Sequence, residues 1–172
     1  NFYVRIPFWD TILHTINGLV CAGIGISLVY ILNKGSNKLN LSPIFVVFVG
    51  FCFSMTVGVL WEFLEYGVDQ ITNSDMQKDT VITEFASVEL KEDKSNPSKH
   101  IENITSTTIH LKDGEDIKIE GGYLDVGLHD TMKDLIVNFI GAVVLSILSY
   151  FYIKQRDKYT FVEGFFLKKE MP

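Results

Sequence analysis

Three long apolar runs organise this chain: Thr11 to Leu32, Leu41 to Leu64 and Asp134 to Ile153, with a polar stretch from Thr72 to Leu128 between the second and third. A helix rises about 1.5 Å per residue, so roughly 20 apolar residues cross a bilayer, and each run is long enough. Their cores, such as Ile44 to Phe51 and Phe139 to Leu145, lack the charged stripe that a helix of a soluble bundle keeps toward water. The pattern therefore predicts a mainly α, polytopic membrane protein with three transmembrane helices. Gly18, Gly23, Gly25, Gly50, Ser54, Gly58, Gly141 and Ala142 lie inside the runs, where small residues let helices approach closely. Cys21 and Cys52 also fall within the runs, as packing residues with no metal-binding spacing around them.

The polar stretch has a different rhythm. Thr80 to Leu90, Asn103 to Leu111 and Asp116 to Glu120 are rich in Val, Ile and Thr, and Lys112-Asp113-Gly114-Glu115 reads as a hairpin turn between the last two. A small antiparallel β unit is expected, with Lys91 to Lys99 as an exposed and mobile connection around Pro97. At this size it is expected to rest on the helices or on a second chain. The predicted division is 1–71 for an N-terminal interfacial segment and helices 1 and 2, 72–128 for an acidic β-containing insertion, 129–153 for helix 3, and 154–172 for a basic tail.

The composition agrees with a bilayer setting: 47% of the 172 residues are hydrophobic and only 21% charged. A net charge of −6 argues against nucleic acid as a partner. Where the charges sit changes the picture more than their sum. The insertion holds twelve acidic residues against six lysines. The Asn33 to Asn40 connection and the tail, which share one side of the membrane, carry Lys34, Lys38, Lys154, Arg156, Lys158, Lys168 and Lys169 against only Asp157, Glu163 and Glu170. The positive-inside rule then predicts a multi-pass protein of the bacterial cytoplasmic membrane, its N-terminus outside and its C-terminus cytoplasmic. The preference for Lys over Arg and the abundance of Ile and Asn look bacterial, so the Asn103-Ile104-Thr105 sequon is discounted as a glycan acceptor.

Polar side chains recur at helical spacing where the runs meet the insertion. Asp10, His14 and Asn17 open the first helix at intervals of four and three. Glu62, Glu65 and Asp69 close the second, and Asp130, Asp134 and Asn138 open the third, next to Lys133. Alternating spans bring these faces to one end of the bundle, here the extracytoplasmic end. Six carboxylates (Asp10, Glu62, Glu65, Asp69, Asp130, Asp134) then share it with Arg5 and Lys133 as fixed cations. Like charges so placed must share protons, bind a cation or be neutralised by partners. Asp10 and Asp130 also suit helix N-caps, and Asp69 and His129 suit solvated interface positions. His14, Glu62, Glu65, Asp134 and Asn138 lie further into the apolar runs, where an idle polar group is costly.

Asp10, His14 and Gly18, the run Gly58-Val59-Leu60-Trp61-Glu62-Phe63-Leu64-Glu65 with Asp69, and Asp130-Thr131-Met132-Lys133-Asp134 followed by Asn138, Gly141 and Ala142 together resemble the VanZ-like and YjdF-like bacterial inner-membrane proteins. The resemblance covers most of the three spans but not the insertion. It implies an acidic residue in the middle motif and an Asp-x-x-x-Asn-x-x-Gly pattern in the last, matched by Asp134, Asn138 and Gly141, and a role in the cell envelope or in antibiotic resistance.

Several functions remain open on this reading. The first is a cation or divalent-metal site (Mg, Mn or Zn) formed by His14, Glu62, Glu65 and Asp134, with Asp10, Asn17, Asp69, Asp130, Lys133 and Asn138 completing the polar cluster. Its enzymatic form is a metal-dependent hydrolase or transferase of a lipid-linked substrate, with Glu62 or Glu65 as general base. Another is proton- or ion-coupled transport, for which three spans require a homo-oligomer or helices upstream of Asn1. A non-catalytic envelope interaction protein is the last.

Overall fold

In the computed structural model, which describes residues 8–35 and 41–154, three long helices form an up-down-up bundle: α1 (Trp9–Gly35), α2 (Pro43–Thr72) and α3 (Leu128–Lys154). All three are long and apolar enough to cross a membrane. Local chemistry sets their ends. Ser42 accepts the backbone N–H of Phe45 and Pro43 occupies the first turn of α2, while Asn73, in the left-handed conformation (φ 51°), closes it by donating to the Asp69 carbonyl. The Asn33 side chain clamps the return from α1 to α2 through both the N–H and the carbonyl of Leu41.

Two helices start or end beyond their apolar runs. At 30 residues α2 spans about 45 Å, more than the roughly 30 Å of a hydrocarbon core, so Glu62, Glu65 and Asp69 ride on its last turns near the membrane boundary. Likewise α3 begins at Leu128, six residues before Asp134. Its first turn is capped not by Asp130 but by Asp125, whose Oδ2 accepts the N–H of His129 at 2.8 Å, while Gly127 (φ 94°) accepts from Thr131.

The bundle is polar inside and apolar outside. Phe48, Phe63, Ile136, Ile140, Val144 and Ile147 are exposed, whereas Ser54, Asp134, Asn138 and Ser149 are at most 1% accessible. Water would favour the reverse, and lipid favours this. Two apolar clusters hold the remainder of the interior: Ala22, Ala142 and Leu145 with Leu19 and Phe51, and Ile26, Val46 and Val47 further from the insertion. At the α1–α3 crossing the main chain of Asn138 sits directly against Gly18, and that of Thr15 against Gly141, leaving no room for a Cβ at either glycine.

The insertion folds as three antiparallel pairs, two consecutive hairpin-like pairs enclosed in sequence by the third. β1 (Thr80–Ile82) pairs with β6 (Tyr123–Asp125) at the base, β2 (Phe85–Ser87) with β3 (Lys99–Ile101), and β4 (Ser106–His110) with β5 (Asp116–Glu120). The expected turn at Lys112–Glu115 is present, with Gly114 at φ 91°. The first expected strand is instead broken at Thr83 and Glu84 and ends in a 3₁₀ turn, Val88–Leu90, and β3 and β6 are strands the pattern did not mark. The Lys91 to Lys99 connection is exposed for most of its length but organised, because the Lys91 ammonium donates to Ser95 and to the Pro97 carbonyl. Only Gly122 and Gly127 are buried between Asn73 and Leu128, so the insertion has no core of its own. Arg5, Lys38, residues 1–7 of the N-terminal interfacial segment and the basic tail after Lys154 lie outside the described residues.

Candidate functional site

The three polar faces meet in one layer where α1 and α3 begin and α2 ends. His14 is its centre. Its Nε2 lies 3.5 Å from Asp134 Oδ2 and 3.8 Å from Asp10 Oδ1, and its Nδ1 lies 3.8 Å from Glu62 Oε1. His14, Glu62 and Asp134 are all buried. One ligand atom from each of Asp10, His14 and Asp134 falls within 4.8 Å of the others, a spacing at which one metal ion could be held. Both oxygens of Asp134 and of Glu62, together with Asn138 Oδ1, are buried and accept no hydrogen bond among the described residues. Buried oxygens without donors are rare and costly, which makes this donor set suited to a cation.

Below it, Ser54 donates to the Gly18 carbonyl at 2.9 Å, and the Asn138 amide faces the Ser54 carbonyl at 3.5 Å and Met55 Sδ at 3.6 Å. These contacts tie all three helices together one turn beneath the carboxylates. Above it lies a feature the sequence pattern did not mark. Residues 74–78 are strapped across the bundle end: Asp69 accepts the N–H groups of Met76 and Gln77 and the hydroxyl of Ser74, and Asp130 accepts the N–H of Lys78. Gln77 also bonds the Thr131 hydroxyl. Asp69 and Asp130 are therefore anchors for this strap, neither idle interface groups nor caps.

The strap delivers Lys78, whose ammonium lies 2.8 Å from Asp10 Oδ2. Partial burial disfavours charge on this lysine, but the hydrogen bond and the attraction of Asp10, with Asp130 and Asp134 behind it, outweigh that and raise its pKa above the ordinary 10.5. Stability from the link is fully present below that ordinary value and is lost only as pH rises through the raised one. The cluster's fixed cations thus include Lys78, which the sequence reading assigned to the acidic insertion. Lys133 lies 3.9 Å from Asp130, at the edge. The signal that could have found Lys78 is its distance in sequence, only six residues past Thr72.

A cleft of about 690 Å³ opens between α1, α2 and the strap, beside His14 and Asp10. Glu65 lines it, and its Oε1 accepts the Trp61 indole N–H at 2.8 Å. Asn17 lines it too, one turn deeper than His14, and its Oδ1 accepts from Cys21. Glu65 and Asn17 therefore face the cleft, outside the Asp10–His14–Asp134 group.

Replacing Asp69 with Ala should release the strap without touching the buried layer. Losing a hydrogen bond to a charged acceptor shifts local opening about tenfold. Amide exchange of Met76 and Gln77 is expected to accelerate by that order, while the amides of α3 keep their protection; unchanged exchange at both residues would contradict the strap.

No curated protein and no solved structure matches this chain. The family described as Predicted membrane protein (DUF2238) matches residues 1–155, which takes in all three helices and the whole insertion. The chain belongs to that membrane protein family.

Proposed function

We propose that this chain is a VanZ-like integral protein of the bacterial cytoplasmic membrane that holds a divalent cation between Asp10, His14 and Asp134. The convergence of those three side chains on one point, beside four carboxylate oxygens that accept no hydrogen bond among the described residues, carries the reading. One imidazole with two carboxylates suits Zn or Mn better than Mg, which prefers an all-oxygen shell and keeps several waters. In this arrangement Nε2 of His14, which lies nearer Asp10 and Asp134, would be the ligand atom, with Glu62 3.8 Å from Nδ1 as a carboxylate beyond hydrogen-bond reach on the ring's other side. Glu65, across the cleft wall, is placed to accept a proton from a ligand rather than to bind the ion.

The bundle's other half weighs against a transport pathway through a single chain. Beneath Asn138 the interior closes with Ala22, Ala142, Leu145, Leu19 and Phe51. No charged side chain lies in α1 from Leu19 to Asn33, in α2 from Pro43 to Trp61 or in α3 from Phe139 to Ile153. The site therefore exchanges with one side only. In the proposed topology that side is the extracytoplasmic one, residues 72–128 form an acidic envelope-facing insertion, and residues 154–172 form a cytoplasmic tail. A second copy of the chain, or helices upstream of Asn1, would pack on the exposed apolar faces.

Two measurements test this. Protein purified in mild detergent is expected to carry close to one equivalent of Zn or Mn by elemental mass spectrometry, and His14→Ala to carry almost none; equal metal in the two would remove His14 from the site. For the topology, Lys112→Cys at the exposed hairpin tip, in a Cys21→Ala, Cys52→Ser background, should react with an impermeant maleimide on intact cells. Labelling only after lysis would invert the orientation.

A further inference from the structure

The cleft beside the cation layer is ordered by depth. Asp75, Met76 and Lys78 of the strap line its outer end, and position along the antiparallel helices places Asp10 and Glu65 next, then His14 and Trp61, and Asn17 deepest. Asp10 and Asn17 are seven residues apart on one helix, so the polar groups span about 10 Å along the membrane normal. That is enough to cover the polar headgroup layer of one leaflet, which is roughly 5–8 Å thick. Trp61 is 44% exposed on the bundle's lipid-facing side, so the cleft wall meets the bilayer at the level where indole rings prefer to sit.

Two features point to an occupant. Asn17 uses its oxygen on Cys21 and keeps its amide N–H₂ as a donor at the deep end of the cleft. Charge supplies the second. With a divalent ion bound, Lys78 and the ion bring three positive charges against the five carboxylates of Asp10, Glu62, Glu65, Asp75 and Asp134. An anionic headgroup would deepen that excess, whereas one that brings its own ammonium would not.

We infer that this cleft is the headgroup subsite for an aminophospholipid that enters sideways from the bilayer, its phosphate between Lys78 and the bound cation, its ammonium at Glu65 and Asp75, and its ester at Asn17. The inference rests on the cation reading for one of the phosphate's two positive partners. Trp61 closes the wall, held by its bond to Glu65, and presents its ring to the glycerol and the first methylenes.

Trp61 also provides the readout, since the chain has only two tryptophans, Trp9 and Trp61. In a Trp9→Phe protein in maltoside micelles, phosphatidylethanolamine with brominated acyl chains is expected to quench fluorescence saturably. The half-point should fall at about a tenfold lower mole fraction than for brominated phosphatidylglycerol or diacylglycerol, the scale of one charge-assisted contact. Lys78→Ala should bring phosphatidylethanolamine to the level of diacylglycerol, Lys78→Arg should restore it, and Glu65→Gln should remove the preference over phosphatidylglycerol alone. Equal quenching by the three lipids in the Trp9→Phe protein overturns the inference, whatever its metal content. Displacement of the lipid by millimolar inorganic phosphate or soluble phosphoethanolamine would assign the cleft to a soluble ligand and overturn the lateral route. Retained selectivity in protein that takes up neither Zn nor Mn when each is added would uphold the lipid subsite and sink the cation reading, so the two fail separately.

Discussion

Asp134→Asn is expected to abolish cation binding and, in the same protein, to stabilise the metal-free state. Asp134 is 1% accessible, with both oxygens unmatched and Asp10 and His14 close by. Without an ion, the Asp134 carboxyl must either take up a proton or repel Asp10 beside it, a cost that a neutral amide of the same shape does not carry. With an ion, the same oxygen is a ligand. Losing even an outer-shell partner of a metal ligand costs about 10–100-fold in affinity, so loss of the ligand itself should exceed about 100-fold. Metal at a hundred times its dissociation constant stabilises a folded protein by about 2.7 kcal/mol, and that increment should vanish. Thermal unfolding with chelator and with added Zn or Mn reads both signs: wild type gains on adding metal, Asp134→Asn does not, and with chelator the variant melts higher. Glu62→Gln should fall between them, retaining metal but more weakly. An Asp134→Asn protein stabilised by metal as strongly as wild type would place the ion elsewhere.

The helices and the shared depth of their polar faces were legible because both are periodic. Apolar runs of membrane length mark α1, α2 and α3, and the spacings Asp10-His14-Asn17, Glu62-Glu65-Asp69 and Asp130-Asp134-Asn138 each mark one face. Periodicity could say which residues meet, but not what each carboxylate does when they meet. Asp69 and Asp130 have the same spacing credentials as Glu62 and Asp134, yet they hold backbone N–H groups of the strap, while Glu62 and Asp134 face His14 and accept no hydrogen bond among the described residues. The difference comes from residues 74–78, a stretch of irregular backbone with no periodic signature. Lys78 was hidden for the same reason. The insertion shows a related limit: β1, β2, β3 and β6 have three residues each, too short for an alternating pattern, and the β1–β6 pair that closes the unit joins Thr80 to Asp125. The longer β4–β5 hairpin, with Gly114 in its turn, was readable.

The second large effect is expected from a residue that has no side chain. At Gly141 a Cβ would run into the Thr15 carbonyl and approach the Leu19 nitrogen, and at Gly18 one would run into the Asn138 carbonyl. These obstacles are main chain in the middle of helices and cannot rotate away, so the helices themselves must part. Overpacking a close interface typically costs 1–3 kcal/mol, and Gly141→Leu should lie at the upper end of about that range because the bulk falls on backbone. Asp134, Asn138 and Gly141 share one face of α3, so parting α1 from α3 also stretches the 3.5 Å approach of His14 to Asp134. It draws Asn138 away from Ser54 as well. Gly141→Leu is therefore expected to lower both the unfolding midpoint in detergent and metal affinity, although it alters no polar group. Gly67→Ala is the control. No atom outside its own turn of α2 lies within 4 Å of the added Cβ, and replacing a mid-helix glycine there should stabilise by about 0.5–1 kcal/mol. Metal affinity should stay at the wild-type value in Gly67→Ala. A Gly141→Leu protein that binds metal and unfolds like wild type would show that the α1–α3 crossing does not set the spacing of the cation layer.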